Sequence, residues 1–222
     1  MNPIKIFQNA NINNNKCIFC NPTPGMIIHE TANFRLLRVN FPASIGHLMI
    51  SSKLHFGSMG ELDSNLFSEL KELKSTVTLW FKKHLQYIIF YEHGKAGGCF
   101  IAEEAGTQCE HFHLNFLPLD ICIHQDLKKI YSPILINNLE DIVNIFDTFG
   151  EYLYFENNQG EKIFYSVKDK KIKPHFLRSI ICKKNNMPHK ANWQKHQNYE
   201  DFLDSYNLTK PLEDDLKNAR IS

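Results

Sequence analysis

The stretch Cys109-Glu110-His111-Phe112-His113-Leu114-Asn115-Phe116-Leu117-Pro118 constrains this chain more than any other. Its polar and apolar side chains alternate from 111 to 116, and a period of two puts neighbours on opposite sides of an extended backbone. The pattern predicts a half-buried strand. Phe112, Leu114 and Phe116 face a core, while His111, His113 and Asn115 form a row on the other face. Just before it, Ala105-Gly106-Thr107-Gln108 is small and polar, so its backbone amides can approach a ligand closely. Exposed amides hold phosphate oxygens, and an imidazole can attack phosphorus. Two histidines at this spacing also occur as surface or metal-binding residues, so the doublet alone leaves these uses open.

A chain of 222 residues makes one large domain, or one domain with a sizeable extension. Its 43% hydrophobic and 22% charged content is ordinary for a globular protein. A net charge of +1 gives no basic field to attract duplex nucleic acid. No apolar run approaches the roughly 18 residues of a spanning helix, and Met1 to Phe7 lacks a signal-peptide core. The expectation is a cytoplasmic protein with no membrane partner. Of the 6 cysteines, Cys99, Cys109, Cys122 and Cys182 are scattered, and Cys17 and Cys20 are spaced C-x-x-C. In a reducing compartment such a pair reads as metal or redox chemistry rather than as a disulfide framework. Pro22 and Pro24 follow it, which suits a zinc knuckle better than a redox motif opening a helix.

In chain order, residues 1–16 read as a loosely ordered, Asn-rich lead-in. Strands are expected over 26–30, 34–39 and 47–52, and a long helix over 61–85, where Leu62, Leu66, Leu70, Leu73, Val77, Trp80 and Phe81 recur at helical spacing. A buried strand over 87–91 leads into Glu92-His93-Gly94 and a Gly-rich connection. Farther on come a helix over 135–149, a hairpin of 151–155 and 162–167, a helix over 176–183, and a last helix opening at Lys210-Pro211.

The order Cys17-Ile18-Phe19-Cys20, then Gly46-His47-Leu48-Met49-Ile50 closing on His55, then a long helix, a strand, and Gly106-x-x-x-x-His111-Phe112-His113-Leu114-Asn115 resembles the histidine triad (HIT) superfamily over roughly residues 17–119. Glu92-His93-Gly94, Phe176-Leu177-Arg178 and Trp193 are similar to a branch of longer bacterial HIT-like proteins. One departure stands out. The family pattern is His-φ-His-φ-His-φ-φ, and Asn115 occupies the third His position. The galactose-1-phosphate uridylyltransferase and dinucleoside tetraphosphate phosphorylase branches carry a Gln near that place.

The resemblance implies that His113 is the nucleophile of a covalent nucleotidyl-histidine intermediate, with its second ring nitrogen held by a backbone carbonyl. Asn115 would lie beside it and donate to a phosphate oxygen, but it cannot shuttle a proton. That favours leaving groups of low pKa, namely phosphoanhydrides or sugar phosphates. Gly106, Thr107 and Gln108 would lie against the phosphates, with His93 and Arg178 as further phosphate contacts; for Arg178 the plainer reading is a surface arginine. Phe19, Phe34 and Leu36 are candidate walls of a base pocket, and His47 a support for the fold. The resemblance also implies a structural zinc held by Cys17, Cys20, His55 and His111, a closed tetrahedral set.

The expected fold class is α+β: an antiparallel sheet of about five strands with the long helix packed on it, plus a C-terminal α/β extension. Its expected parts are the lead-in 1–16, a catalytic domain 17–119 and the extension 120–222. The expected function is a nucleotide phosphoanhydride hydrolase or nucleotidyltransferase with a nucleotide as partner, and a homodimer formed through the helix and an edge strand. The alternative is a catalytically weak nucleotide- or RNA-binding module.

Overall fold

The computed structural model describes residues 2–10, 17–97, 99–100, 108–167 and 172–219. Helix α1 (Pro3–Ala10) is followed by strands β1 (Ile27–Glu30), β2 (Phe34–Arg38) and β3 (Leu48–Ser52), then helix α2 (Phe67–Leu85) and strand β4 (Ile89–Gly94). A separate two-stranded ribbon, β5 (Cys99–Phe100) and β6 (Gln108–Cys109), precedes β7 (His113–Leu117). The second half contributes α3 (His124–Lys128), β8 (Pro133–Leu135), α4 (Asp141–Phe149), β9 (Tyr152–Glu156), β10 (Lys162–Ser166), α5 (Phe176–Lys184) and α6 (Tyr199–Asn218).

Eight strands form one antiparallel sheet in the order β1-β2-β3-β7-β4-β9-β10-β8. The alternation of β7 sets its two faces. Phe112, Leu114 and Phe116 are fully buried with Phe34, Leu36, Ile50 and Phe90 against Phe67, Leu70, Val77 and Phe81 of α2. Each such side chain contributes about 1.5–3 kcal/mol relative to exposure. The opposite face is covered over β9 and β10, where Leu153, Phe155, Ile163 and Tyr165 pack on Leu127 of α3 and on Leu177 and Ile181 of α5. Over β2, β3, β7 and β4 that same face carries the polar row.

Residues 27–117 supply the five expected strands, and β9, β10 and β8 then extend the sheet to eight. Because β9 pairs with β4 from Phe90↔Glu156 to Gly94↔Tyr152, Glu92, His93 and Gly94 are strand rather than connection. At Gly94 a Cβ would stand 2.0 Å from the Tyr152 ring, a close approach that only glycine permits. With β7 on one side of β4 and β9 on the other, the open edges of the sheet are β1 and β8. A homodimer joined along an edge strand would use one of those.

Four local expectations are corrected. The long helix expected over 61–85 begins only at Phe67, after short helical turns at Met59–Glu61 and Ser64–Leu66. Residues 3–10 of the expected lead-in are helical, with Ile6 buried beside Phe202 of α6; residues 11–16 lie outside the described residues. Residues 135–149 divide into the end of β8 and the shorter α4, whose Asp141 accepts from the backbone amides of Asn137 and Asn138. The last helix opens eleven residues earlier than Lys210 (210 − 199 = 11), at Tyr199, capped by Asn198 accepting from the Glu200 amide at 2.8 Å. Pro211 lies inside α6, where packing of Phe202, Thr209, Leu212 and Leu216 and the 2.6 Å Arg38–Glu213 ion pair hold the helix despite the missing amide. Among the described residues no helix is long and apolar enough to cross a membrane.

Candidate active site and metal centre

His111 stands just before β7, and its Nε2 lies 2.9 Å from the carbonyl oxygen of Ser52 at the end of β3. A carbonyl only accepts, so Nε2 carries the proton and Nδ1 holds the lone pair. That Nδ1 lies 3.4 Å from Cys17 Sγ, 3.5 Å from Cys20 Sγ and 3.2 Å from His55 Nδ1. Cys20 Sγ is 3.2 Å from His55 Nδ1, and the four donor atoms all lie within 4.8 Å of one another. Two soft sulfurs and two imidazole nitrogens converging on one point can hold a metal ion. The Ser52 carbonyl orients His111 from outside, as the partners of metal-binding imidazoles do.

Two residues on, His113 faces the same side. Its Nδ1 lies 2.7 Å from the His111 carbonyl oxygen, so Nδ1 donates and Nε2 keeps the lone pair. Phe19 stacks on the ring at 4.7 Å and 14°. Burial lowers the pKa of His113, which keeps the imidazole neutral and its lone pair available. The ring opens on a pocket of about 430 Å³.

Asn115 has a different part from the one expected. The Ala43 amide donates to His47 Nδ1 at 3.2 Å, so His47 Nε2 carries the proton and donates to Asn115 Oδ1 at 3.0 Å. Asn115 Nδ2 then donates to the carbonyls of Tyr91 at 3.2 Å and His113 at 3.4 Å. Every polar atom of the amide is used within the protein, so none is left to hold a phosphate. Burial and Arg178 push His47 down to about 3, which keeps it neutral in this chain of bonds.

The second half of the chain closes the pocket. His93, on β4, accepts at Nε2 from the Leu177 amide at 3.0 Å and docks the start of α5 on the sheet. Burial and the nearby His113 and His175 push His93 down to about 3. It therefore anchors α5 rather than reaching out from a loop. Arg178 is only 6% exposed and is not a surface arginine. Its Nε donates to the Lys190 carbonyl at 2.8 Å and its Nη2 to the Phe41 carbonyl at 3.0 Å, which fixes the guanidinium in the pocket wall. Trp193 stacks on Phe41 at 5.4 Å and 8°, and both line the pocket with His175.

Of the remaining expected residues, Phe34 is not a pocket wall. It is fully buried on the α2 face, edge-on to Phe112, and Leu36 shares that face. The alternation of β2 sends Arg35 and Leu37 to the site side, and Leu37 packs on Phe19. Gly106 and Thr107 lie outside the described residues, as does the Gln108 side chain; its backbone pairs with Phe100 in the ribbon. Sequence reasoning did not single out His175, and gave no pocket role to Phe41 or Trp193. Their only local signal is the aromatic and basic character of Pro174-His175-Phe176-Leu177-Arg178 and of Trp193 in a polar tail.

Strands β1-β2-β3-β7-β4 with α2 across one face, and the paired histidines on the other, decide the architecture. The fold is HIT-like. No family model matches the chain. Among curated proteins it is similar to "CWF19-like protein 1" of Mus musculus, 24% identical over 202 residues, and of Homo sapiens, 23% identical over 198 residues. These alignments cover 83% and 82% of this chain but only 35% and 34% of those relatives. Among solved structures, a HIT family protein from Bacillus anthracis is 20% identical, with 60% of this chain and 94% of that one covered at a TM-score of 0.36. A DUF4931 family protein from Bacillus cereus is 15% identical, with 83% and 98% covered at a TM-score of 0.43. The β9–β10–β8 addition to the HIT-like sheet brings α5 and Trp193 to the His113 pocket.

Proposed function

We propose that this chain is a nucleotide phosphoanhydride hydrolase or nucleotidyltransferase working through a covalent nucleotidyl-His113 intermediate. The observation that carries the reading is the 2.7 Å approach of His113 Nδ1 to the His111 carbonyl, which leaves Nε2 with a lone pair at a pocket. In the first step Nε2 attacks the α-phosphorus, a P–N bond forms, and the bond to the leaving oxygen breaks with its electron pair. In the second step water, phosphate or another acceptor attacks the same phosphorus and releases Nε2. Arg178, held rigid by two carbonyls, offers its remaining N–H groups to the phosphate charge. Phe19, Phe41 and Trp193 offer aromatic surface for a base.

In this reading Cys17, Cys20, His55 and His111 hold a structural zinc. Tetrahedral zinc with Zn–N of about 2.0–2.1 Å and Zn–S of about 2.3 Å puts its donors roughly 3.3–3.8 Å apart. Four of the donor pairs stand 3.2–3.5 Å apart, at the short end of that figure, and all lie within 4.8 Å. A zinc there would fix the N-terminal segment and His111, whose carbonyl sets the His113 tautomer. The pocket draws its walls from both halves of one chain, so the reading requires no second copy.

The test is product formation from a panel of dinucleoside polyphosphates and nucleoside diphosphates. Release of a nucleoside monophosphate by the wild type, lost by several orders of magnitude in His113→Ala, supports the reading. The engaged amide of Asn115, which replaces a proton-carrying imidazole, favours a second one: a nucleotide- or RNA-binding module. Nucleotide-dependent thermal stabilisation without any product would select it.

A further inference from the structure

A leaving group needs a proton when its own pKa is high, and Asn115 cannot supply one. The other ionisable groups near His113 are engaged: Lys95, on the pocket wall, pairs with Glu61 and Glu110. His47 and His93 each accept from a backbone amide at one ring nitrogen, that of Ala43 and that of Leu177, so neither ring can take up the second proton that makes an imidazolium acid. Glu92 is buried away from the pocket, between the Met59 amide and the Tyr152 hydroxyl. Arg178 does not give up a proton.

His175 is different. It lines the same pocket as His113, and its ring has no hydrogen-bond partner among the described residues. Its ring stands 5.9 Å from that of Trp193, at 79°. Its backbone is left-handed, with φ 59, immediately before α5, and its carbonyl accepts from both the amide and the hydroxyl of Ser179. A non-glycine residue held in that region costs energy and persists where surrounding structure imposes it, as at functional sites. Two neighbours impose it: His93 pins the Leu177 amide, and Arg178 is tied to two carbonyls.

We propose that His175 is a catalytic residue that protonates the leaving oxygen as His113 attacks, taking over the task that Asn115 cannot perform. The proposal rests on the His113 intermediate. The balance is simple. As the phosphorus–oxygen bond breaks, the oxygen takes the electron pair and receives the proton of the His175 imidazolium, which becomes neutral. In the second step neutral His175 accepts the proton of the attacking water, which restores the imidazolium. Burial, Arg178 and His113 hold His175 down to about 4. An anionic phosphate reverses the local field and favours the charged ring, so protonation accompanies substrate binding.

The experiment follows phenol release in a single turnover from aryl esters of the four nucleoside 5′-monophosphates, with leaving-group pKa running from about 7 for 4-nitrophenol to about 10 for phenol. Wild type is compared with His175→Asn, because asparagine tolerates the left-handed backbone but carries no titratable proton. The expected result is near-equal rates on the 4-nitrophenyl esters and a loss of about 10²–10⁴-fold on the phenyl esters. An equal loss across the series, or no loss anywhere, overturns the proposal for His175 while the His113 reading stands. Absence of release from every ester by the wild type overturns the His113 reading, and this one with it. His113→Ala, inert on the whole series, separates the two roles.

Discussion

His47 donates from Nε2 to Oδ1 of Asn115 at 3.0 Å, and this bond turns the amide so that both its N–H groups meet backbone carbonyls. The residue in the third triad position is thereby built into the sheet, linking β7 to β4 through the Tyr91 carbonyl. Replacing Asn115 by Ala leaves the buried His47 Nε2–H without the oxygen it donates to. The expected cost is about 1–3 kcal/mol, read from urea unfolding as a lower midpoint with unchanged slope. A change below about 0.5 kcal/mol would show that water or a neighbour replaces the amide.

The Cys17, Cys20, His55 and His111 cluster predicts one zinc per chain by elemental analysis of protein purified without added chelator. Cys20→Ser should lose the metal and lower Tm, and a chelator should lower the wild-type Tm toward that of the variant. Zinc-free protein with an unchanged Tm in Cys20→Ser would contradict the assignment.

Glu92 predicts a pH dependence of stability. Burial pushes its carboxyl from the ordinary 4.5 up to about 8. Between those values the folded chain keeps a proton that the unfolded chain has lost. This group's contribution is therefore full below about pH 4.5 and is lost as pH rises through about 8. Glu92→Gln should gain stability over wild type progressively across that window. Parallel Tm–pH curves for the two proteins would mean that Glu92 is not held neutral.

Trp193 and Phe41 predict where a base is held. Removing the indole in Trp193→Ala should weaken nucleoside monophosphate binding by about 1–3 kcal/mol, measured by calorimetry. The same variant should bind inorganic phosphate as wild type does. Equal loss for both ligands would mean that the substitution disturbs Arg178 rather than a base site.

Much of the site was legible in the sequence because its signals are local. The alternation of 111–116, the helical spacing of α2 and the Cys17–Cys20 pair each follow from short-range geometry, and the His113 face came with them; that His55 and His111 join the two cysteines followed only from the resemblance to HIT proteins. What escaped depends on long-range pairing. Nothing in Glu92-His93-Gly94 announces that β9 will lie beside it, so His93 read as a loop residue. That same pairing carries α5 over the sheet and places His175 and a buried Arg178 in the pocket. Phe34 was misplaced for another reason. Phe34-Arg35-Leu36-Leu37 puts apolar side chains on both faces, and only packing against α2 shows which face holds the phenyl ring.

A bond from His113 Nε2 to phosphorus is read most directly from intact mass. Wild type and His113→Ala are exposed to a panel of nucleotides, quenched at short times and weighed. An added nucleotidyl mass is expected on the wild type alone, with the size of the increment naming the base. The same increment on His113→Ala, or no increment on either protein together with no product formed, would contradict such a bond.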